Sequence, residues 1–229
     1  MKGSIEHRVL YEDNHLIAVN KNSGELVQGD RTGDPILPDT IKAYIAHKYN
    51  KPGAVFLGVT HRLDRPTSGV VIFARTSKAL SRMNALFAQH ETSKTYWAIV
   101  EGQPDKEKER LVHYLVRNPK QNKSYAHIHK VPHSKKAILT YTLLQKFERY
   151  SLLEINLETG RHHQIRAQLS KIGCVIKGDL KYGAQRNNKG GYIHLHARKL
   201  SFVHPVKKEP ITITAPVPDQ DPLWKISSE

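Results

Sequence analysis

The apolar residues of this chain fall into short runs separated by polar loops, and helical stripes interrupt them only here and there. Strand patterns stand at Val9–Tyr11, Leu16–Lys21, Val70–Phe73, Thr95–Val100, Ile138–Leu144, Leu152–Leu157, Tyr192–His196 and Ile211–Thr214. Helical spacing groups Ile41, Tyr44, Ile45 and Tyr49, then Leu80, Met83, Leu86 and Phe87, then Ile165, Leu169 and Ile172. Asp39 is the expected cap of the first helix and Thr76 or Ser77 that of the second. Asp13-Asn14 is a turn between the first two strands. Without a regular βαβ rhythm, such runs predict an α+β fold with a mainly antiparallel sheet.

Within that pattern one segment stands out: His61-Arg62-Leu63-Asp64-Arg65-Pro66-Thr67-Ser68-Gly69, with Val55-Phe56-Leu57 before it and Val70-Val71-Ile72-Phe73 after it. A carboxylate between two guanidinium groups is favoured in its ionised form, which suits nucleophilic or electrostatic work. An ordinary surface ion pair is the simpler reading of this loop alone. A second basic loop, Glu158-Thr159-Gly160-Arg161-His162-His163-Gln164-Ile165-Arg166, opens a helix far downstream. Two Arg-rich loops on patterned elements suggest a site assembled from distant segments.

The charge points the same way. There are 36 Lys+Arg against 21 Asp+Glu, a formal net charge of +15. Such a surplus attracts polyanions, nucleic acid first. No basic amphipathic helix supports a membrane surface, and no run is long and apolar enough to cross a bilayer. Basic residues concentrate in the polar stretch 103–136, which carries Arg117, Lys120, Lys123, Lys130, Lys135 and Lys136. Short alternating runs there predict a β-hairpin excursion. Cys174 is the lone cysteine, so the chain can form no internal disulfide and no cysteine-based zinc site. His194-Leu195-His196 and His162-His163 are the nearest approach to metal-ligand spacing. Among 14 histidines such pairs are expected by chance, and the expectation is no metal. No phosphate-binding loop appears, so no nucleotide cofactor is expected.

HRLDRPTSG, KTYWAIVEG (94–102), ETGRHHQIRAQLSKIGCVIKGDLKYG (158–183) and LHARKLSFVHP (195–205) together resemble the successive motifs of the RluA-type pseudouridine synthases. The resemblance runs from about Tyr11 to Pro218. It implies a bent central sheet flanked by helices, with a catalytic cleft across it. It implies isomerisation of uridine to pseudouridine in RNA without a cofactor. Asp64 matches the catalytic carboxylate, Arg166 the arginine that pairs with it, and Tyr96 the tyrosine that stacks on the base. Ile165 becomes an apolar wall of the pocket. Arg62 matches the residue that fills the space of an extruded uridine, alongside His61. Arg65, Arg161, His162 and His163 are candidate phosphate contacts. Thr67, with Ser68 and Gly69, fixes the turn beside the substrate. In one place the sequence departs from the family: Asn22 replaces the proline of the first motif, Asn20-Lys21-Asn22-Ser23-Gly24, which predicts a looser turn.

The expected organisation is a single catalytic domain over 1–229, with a basic insertion at about 103–136. With the first strand at Val9, no separate N-terminal RNA-binding domain is expected. The N-terminal residues carry no apolar signal run, so the expected setting is cytoplasmic. The expected partner is structured rRNA or tRNA, bound by a monomer. Two competing classes are a non-catalytic RNA-binding or ribosome-assembly factor, and a carboxylate-dependent nucleoside or glycoside hydrolase. A hydrolase would need a second carboxylate near Asp64. Glu158 is the nearest candidate in the second loop, and it reads better as a strand end.

Overall fold

A computed structural model describes residues 5–30, 32–219 and 221–226. The chain divides into two compact units, residues 1–92 with 197–218, and residues 93–196 with 219–229. The fold class is α+β, with a mixed, mostly antiparallel sheet.

In the first unit, β1 (Val9–Glu12) and β2 (Leu16–Lys21) form the expected hairpin. Its turn closes on Asp13, whose Oδ1 accepts the backbone N–H groups of His15 and Leu16 at 2.8 Å each. This is the local hydrogen bonding that makes Asp a turn residue. β2 pairs along its full length with β4 (Ser68–Ala74), from Leu16 opposite Ala74 to Lys21 opposite Gly69. Every residue of β4 is buried, which explains its unbroken apolar run. The short β3 (Gly58–Val59) also pairs with β4, and β4 neighbours β10 (Leu195–Val203), on which β11 (Pro210–Thr214) pairs in turn.

Two helices accompany these strands. The first, α1 (Leu37–Lys48), is not capped by Asp39: Ile36 is its N-cap, without a side-chain bond. Pro38 stands in the first turn, where the missing N–H costs nothing, so the helix starts earlier than expected. The second, α2 (Ser77–Ala88), is capped by Thr76, whose hydroxyl accepts the Ala79 N–H at 3.1 Å. Its Ala79 and Met83 are buried.

In the second unit, β5 (Thr92–Glu101), β9 (Tyr150–Leu157), β8 (Lys135–Lys146), β6 (Lys108–Asn118) and β7 (Lys123–His127) lie in that order. The basic stretch 103–136 is therefore built into the sheet, with β6 paired on both sides. Leu111, His113 and Leu115 alternate inward along β6. α3 (Gln164–Lys171) lays Ile165 and Leu169 on a core formed by Ala98, Leu139, Leu153 and Ile155. Gln168 is wholly buried, and its amide reaches His113 Nδ1 at 3.0 Å and the Ala137 carbonyl at 3.3 Å. These bonds of the amide nitrogen tie the helix to β6 and β8. The strand expected at Tyr192–His196 begins instead at Leu195. His194 is held by Lys177 and Ile99 through single backbone bonds of 3.0 Å, after a turn at Gly190-Gly191, so no ladder forms there. A short helix, α4 (Pro222–Ile226), ends the described chain and buries Trp224 against His194.

Gly69 is the most closely approached of the described glycines in the first unit. Its φ is +116°, and a Cβ there would lie 2.4 Å from the Ala197 carbonyl oxygen. Gly69→Ala should therefore lose about 2–4 kcal/mol of stability, from backbone strain plus overpacking. Urea unfolding of the variant checks this, and a wild-type midpoint would contradict the close approach to β10.

Candidate active site

Asp64 lies half-buried in the loop between β3 and β4. The turn is closed by the Thr67 N–H on the Asp64 carbonyl at 3.0 Å. Lys21, the last residue of β2, has no solvent exposure. Its ammonium donates to the carbonyls of Thr67 at 2.6 Å, Arg65 at 3.1 Å and Asn22 at 3.1 Å, with Asp64's own carbonyl at 3.4 Å. Burial pushes the Lys21 ammonium down to about 8, while the charges of Glu25 and Asp64 resist that shift. The Gly24 N–H adds a bond to the Arg65 carbonyl at 2.7 Å. The Asp64 turn is thus gripped through its main chain by the end of β2.

Asn22 does not loosen this corner. Its N–H, which a proline would lack, donates to Glu25 at 2.9 Å, and Glu25 also holds Arg8 at 2.7 Å. Among the other predicted residues of the loop, Thr67 is buried and works through its backbone. His61 Nε2 accepts the Ile72 N–H at 3.1 Å, and its ring packs 4.8 Å from Phe87. Arg62 and Arg65 are exposed. Arg62 reaches Gln28 at 2.7 Å, and Arg65 reaches Asp34 at 2.7 Å. An exposed ion pair such as Arg65–Asp34 is worth little to stability.

In the second unit, Tyr96 is half-buried on β5 and packs against the core cluster. Lys94 shares its face of the strand, two residues earlier. Burial lowers the Lys94 pKa. Gly160 leaves it room, since a Cβ there would come 3.4 Å from the ammonium. Arg166 is 5% exposed at the start of α3. It forms a two-pronged ion pair with Asp179, Nε to Oδ2 at 2.7 Å and Nη2 to Oδ1 at 2.8 Å. Its Nη1 donates to His163 Nε2 at 3.1 Å. His163 is buried, and His162 stacks on it with ring centres 3.9 Å apart. His162 contacts Ser124 Oγ and Asn122 Oδ1. Arg161 is exposed and donates to the Lys136 carbonyl at 3.1 Å. Ile165 is a core residue of this unit.

The second loop therefore combines one exposed cation, Arg161, with a buried polar group around Arg166. Glu158 directly follows β9, and both its oxygens are taken by Arg110 at 2.7 Å. Among the described residues no group of three His, Cys, Asp or Glu is placed to hold a metal ion. His194 Nε2 lies 3.0 Å from Asp221. Sequence reasoning did not single out Lys21, Asp179 or Tyr182. All three lie inside quoted motifs. A charged residue at the end of a strand that opens with four apolar residues was the visible signal for Lys21.

Comparison with known proteins gives this geometry its setting. The profile described as RNA pseudouridylate synthase matches residues 15–171. The chain is 31% identical to ribosomal large subunit pseudouridine synthase D of Zymomonas mobilis subsp. mobilis, covering 95% of this chain and 72% of that protein. It is 34% identical to tRNA pseudouridine synthase C of Vibrio vulnificus, covering 95% and 92%. Against three other curated relatives it spans 58–66% of their length. The human RNA pseudouridylate synthase domain containing 4 shares the fold, with a TM-score of 0.80 at 22% identity, over 94% of this chain and 90% of that one. With a family profile across most of its length and relatives of this similarity, the chain belongs to the RNA pseudouridylate synthases, the isomerases that convert uridine in RNA to pseudouridine.

Proposed function

We propose that this chain isomerises specific uridines in structured rRNA or tRNA, with Asp64 as the carboxylate that acts on the target nucleotide. The observation that carries the reading is the Lys21 grip on the Asp64 turn. A buried ammonium spent on backbone carbonyls fixes where one side chain is presented, which is what positioned catalysis requires. Isomerisation breaks the N1 glycosidic bond, turns the uracil and rejoins it through C5. An ionised Asp serves this by attacking C1′, by attacking the base, or by taking the 2′ proton. Arg166, the arginine of the Gln164-Ile165-Arg166 segment, is the cation assigned to the same reaction. Tyr96 supplies an aromatic face for the extruded base.

Arg62 fills the gap left in the RNA stack. Arg65 and Arg161, both exposed, and His162 hold phosphates. The basic strands β6 to β8 add sequence-independent attraction. His61, Thr67, His163 and Ile165 shape these groups from behind, consistent with their internal contacts. The protein works as a cytoplasmic monomer without a nucleotide cofactor. The paired Glu158 supports the isomerase over a hydrolase, because it leaves the second loop without a proton-donating acid.

Asp64→Asn should lower pseudouridine formation by at least about 10³-fold while RNA affinity stays nearly unchanged, because phosphate contacts dominate binding. Pseudouridine mapping of transcripts with and without the purified protein provides the assay. RNA of unchanged mass with no released uracil marks isomerisation, and free uracil would mark a hydrolase. Turnover by Asp64→Asn close to wild type would remove Asp64 from the centre. Tyr96→Ala should weaken target binding by roughly 1–3 kcal/mol, the worth of one stacked base, whereas Tyr96→Phe retains it. Equal, wild-type behaviour of both variants would leave Tyr96 a packing residue only. Replacing the exposed Lys130, Lys135 and Lys136 with Gln should flatten the salt dependence of binding and raise KM with little change in kcat. An unchanged salt slope would put the RNA elsewhere.

A further inference from the structure

Behind Arg166 lies a polar chain that the reaction as proposed leaves unassigned. A guanidinium only donates, so His163 Nε2 is the acceptor of the Arg166 bond. The proton of the neutral ring then sits on Nδ1 and donates to the Tyr182 hydroxyl, 3.0 Å away. That hydroxyl accepts the Ser124 N–H at 2.9 Å and donates to the Ser124 carbonyl at 3.1 Å. The chain thus runs from Asp179 through Arg166, His163 and Tyr182 to the backbone of β7. Burial, followed by the charge of Arg166, pushes the His163 pKa down to about 2, which keeps the ring neutral and its acceptor available. The Tyr182 ring also lies flat enough for Arg166 Cζ to sit 5.0 Å from its centre.

Two details argue that this is more than filling. His163 holds a left-handed backbone, φ 51° and ψ 27°, which is costly for a residue with a side chain and persists where the surroundings impose it. The Tyr182 ring packs with Leu115, Ala137 and Ala167. A phenylalanine would satisfy those apolar neighbours equally, so what the hydroxyl adds is its place in the polar chain. Asp179 fixes one edge of the guanidinium, and His163 fixes the third of its five N–H donors. The planar group then has no freedom left in where the other two point.

We propose that Tyr182 and His163 are positioning residues for Arg166, locking its guanidinium to the Ser124 backbone. The proposal rests on the reading that Arg166 acts at the target uridine. It is tested with Tyr182→Phe in the full chain, by two measurements. Guanidinium NMR of the uncomplexed protein follows Arg166 Nε–H, assigned by its loss in Arg166→Met. Single-turnover kinetics use an in vitro transcript that the wild type modifies. Tyr182→Phe should speed Arg166 Nε–H exchange and slow the chemical step, each by about tenfold, with RNA affinity within about twofold of wild type. If Tyr182→Phe fails to fold, His163→Asn takes its place, because Asn accepts the left-handed backbone but cannot bridge to Tyr182. An unchanged Arg166 signal overturns the proposal, as does a slower step with that signal unmoved. A wild-type rate in Arg166→Met would instead sink the catalytic reading of Arg166, while the exchange result would still decide the positioning.

Discussion

The buried ammonium of Lys21 is the interaction on which the Asp64 loop depends. A charge without solvent exposure is expensive unless donors and acceptors match. Here the carbonyls of Thr67, Arg65 and Asn22 take it within 3.1 Å. These carbonyls lie at a turn where no ladder continues, and the Gly24 N–H is the further donor to that of Arg65. The lysine and the loop therefore satisfy one another, and the segment can leave regular structure without leaving buried groups unpaired. Gly69 completes the device, since its lack of a side chain lets β4 start against Ala197.

The second unit solves a similar problem with different chemistry. A guanidinium must be kept buried and aimed at the opening of α3. Asp179 pairs with it, and the His163 ring accepts another of its N–H groups. The two histidines of this region are tied into internal contacts. His163 is kept neutral by burial, and His162 lies flat upon it. The positive charge that faces outward comes from lysines and from Arg161. Chemistry and attraction are thus carried by separate sets of residues.

Much of this was legible in the sequence. The β1–β2 hairpin follows from Asp13-Asn14 between apolar runs, and the α2 cap from Thr76. The Asp64 loop announced itself by its charges. The misses have a common physical cause. Lys21 meets its acceptors 43 to 46 residues away, and Tyr182 meets Ser124 at 58. No local pattern encodes such distances. His163 read as a phosphate ligand because sequence shows its type and not its burial. The start of β10 was misplaced because periodicity sees apolar alternation and not which backbone partner takes it. Asp39 failed as a cap because Pro38 set the helix start.

β7 ends the strand order of the second unit, five residues long, and pairs with β6. A terminal strand invites a strand from another molecule, and short length with lysines is a common defence. Lys123 lies on β7, with Lys120 before it and Lys130 beyond. The charge that draws in a nucleic acid therefore also keeps one copy of the protein from zipping onto the next. Salt screens both effects together, so the ionic strength that releases RNA is the one at which this edge stands least protected against aggregation.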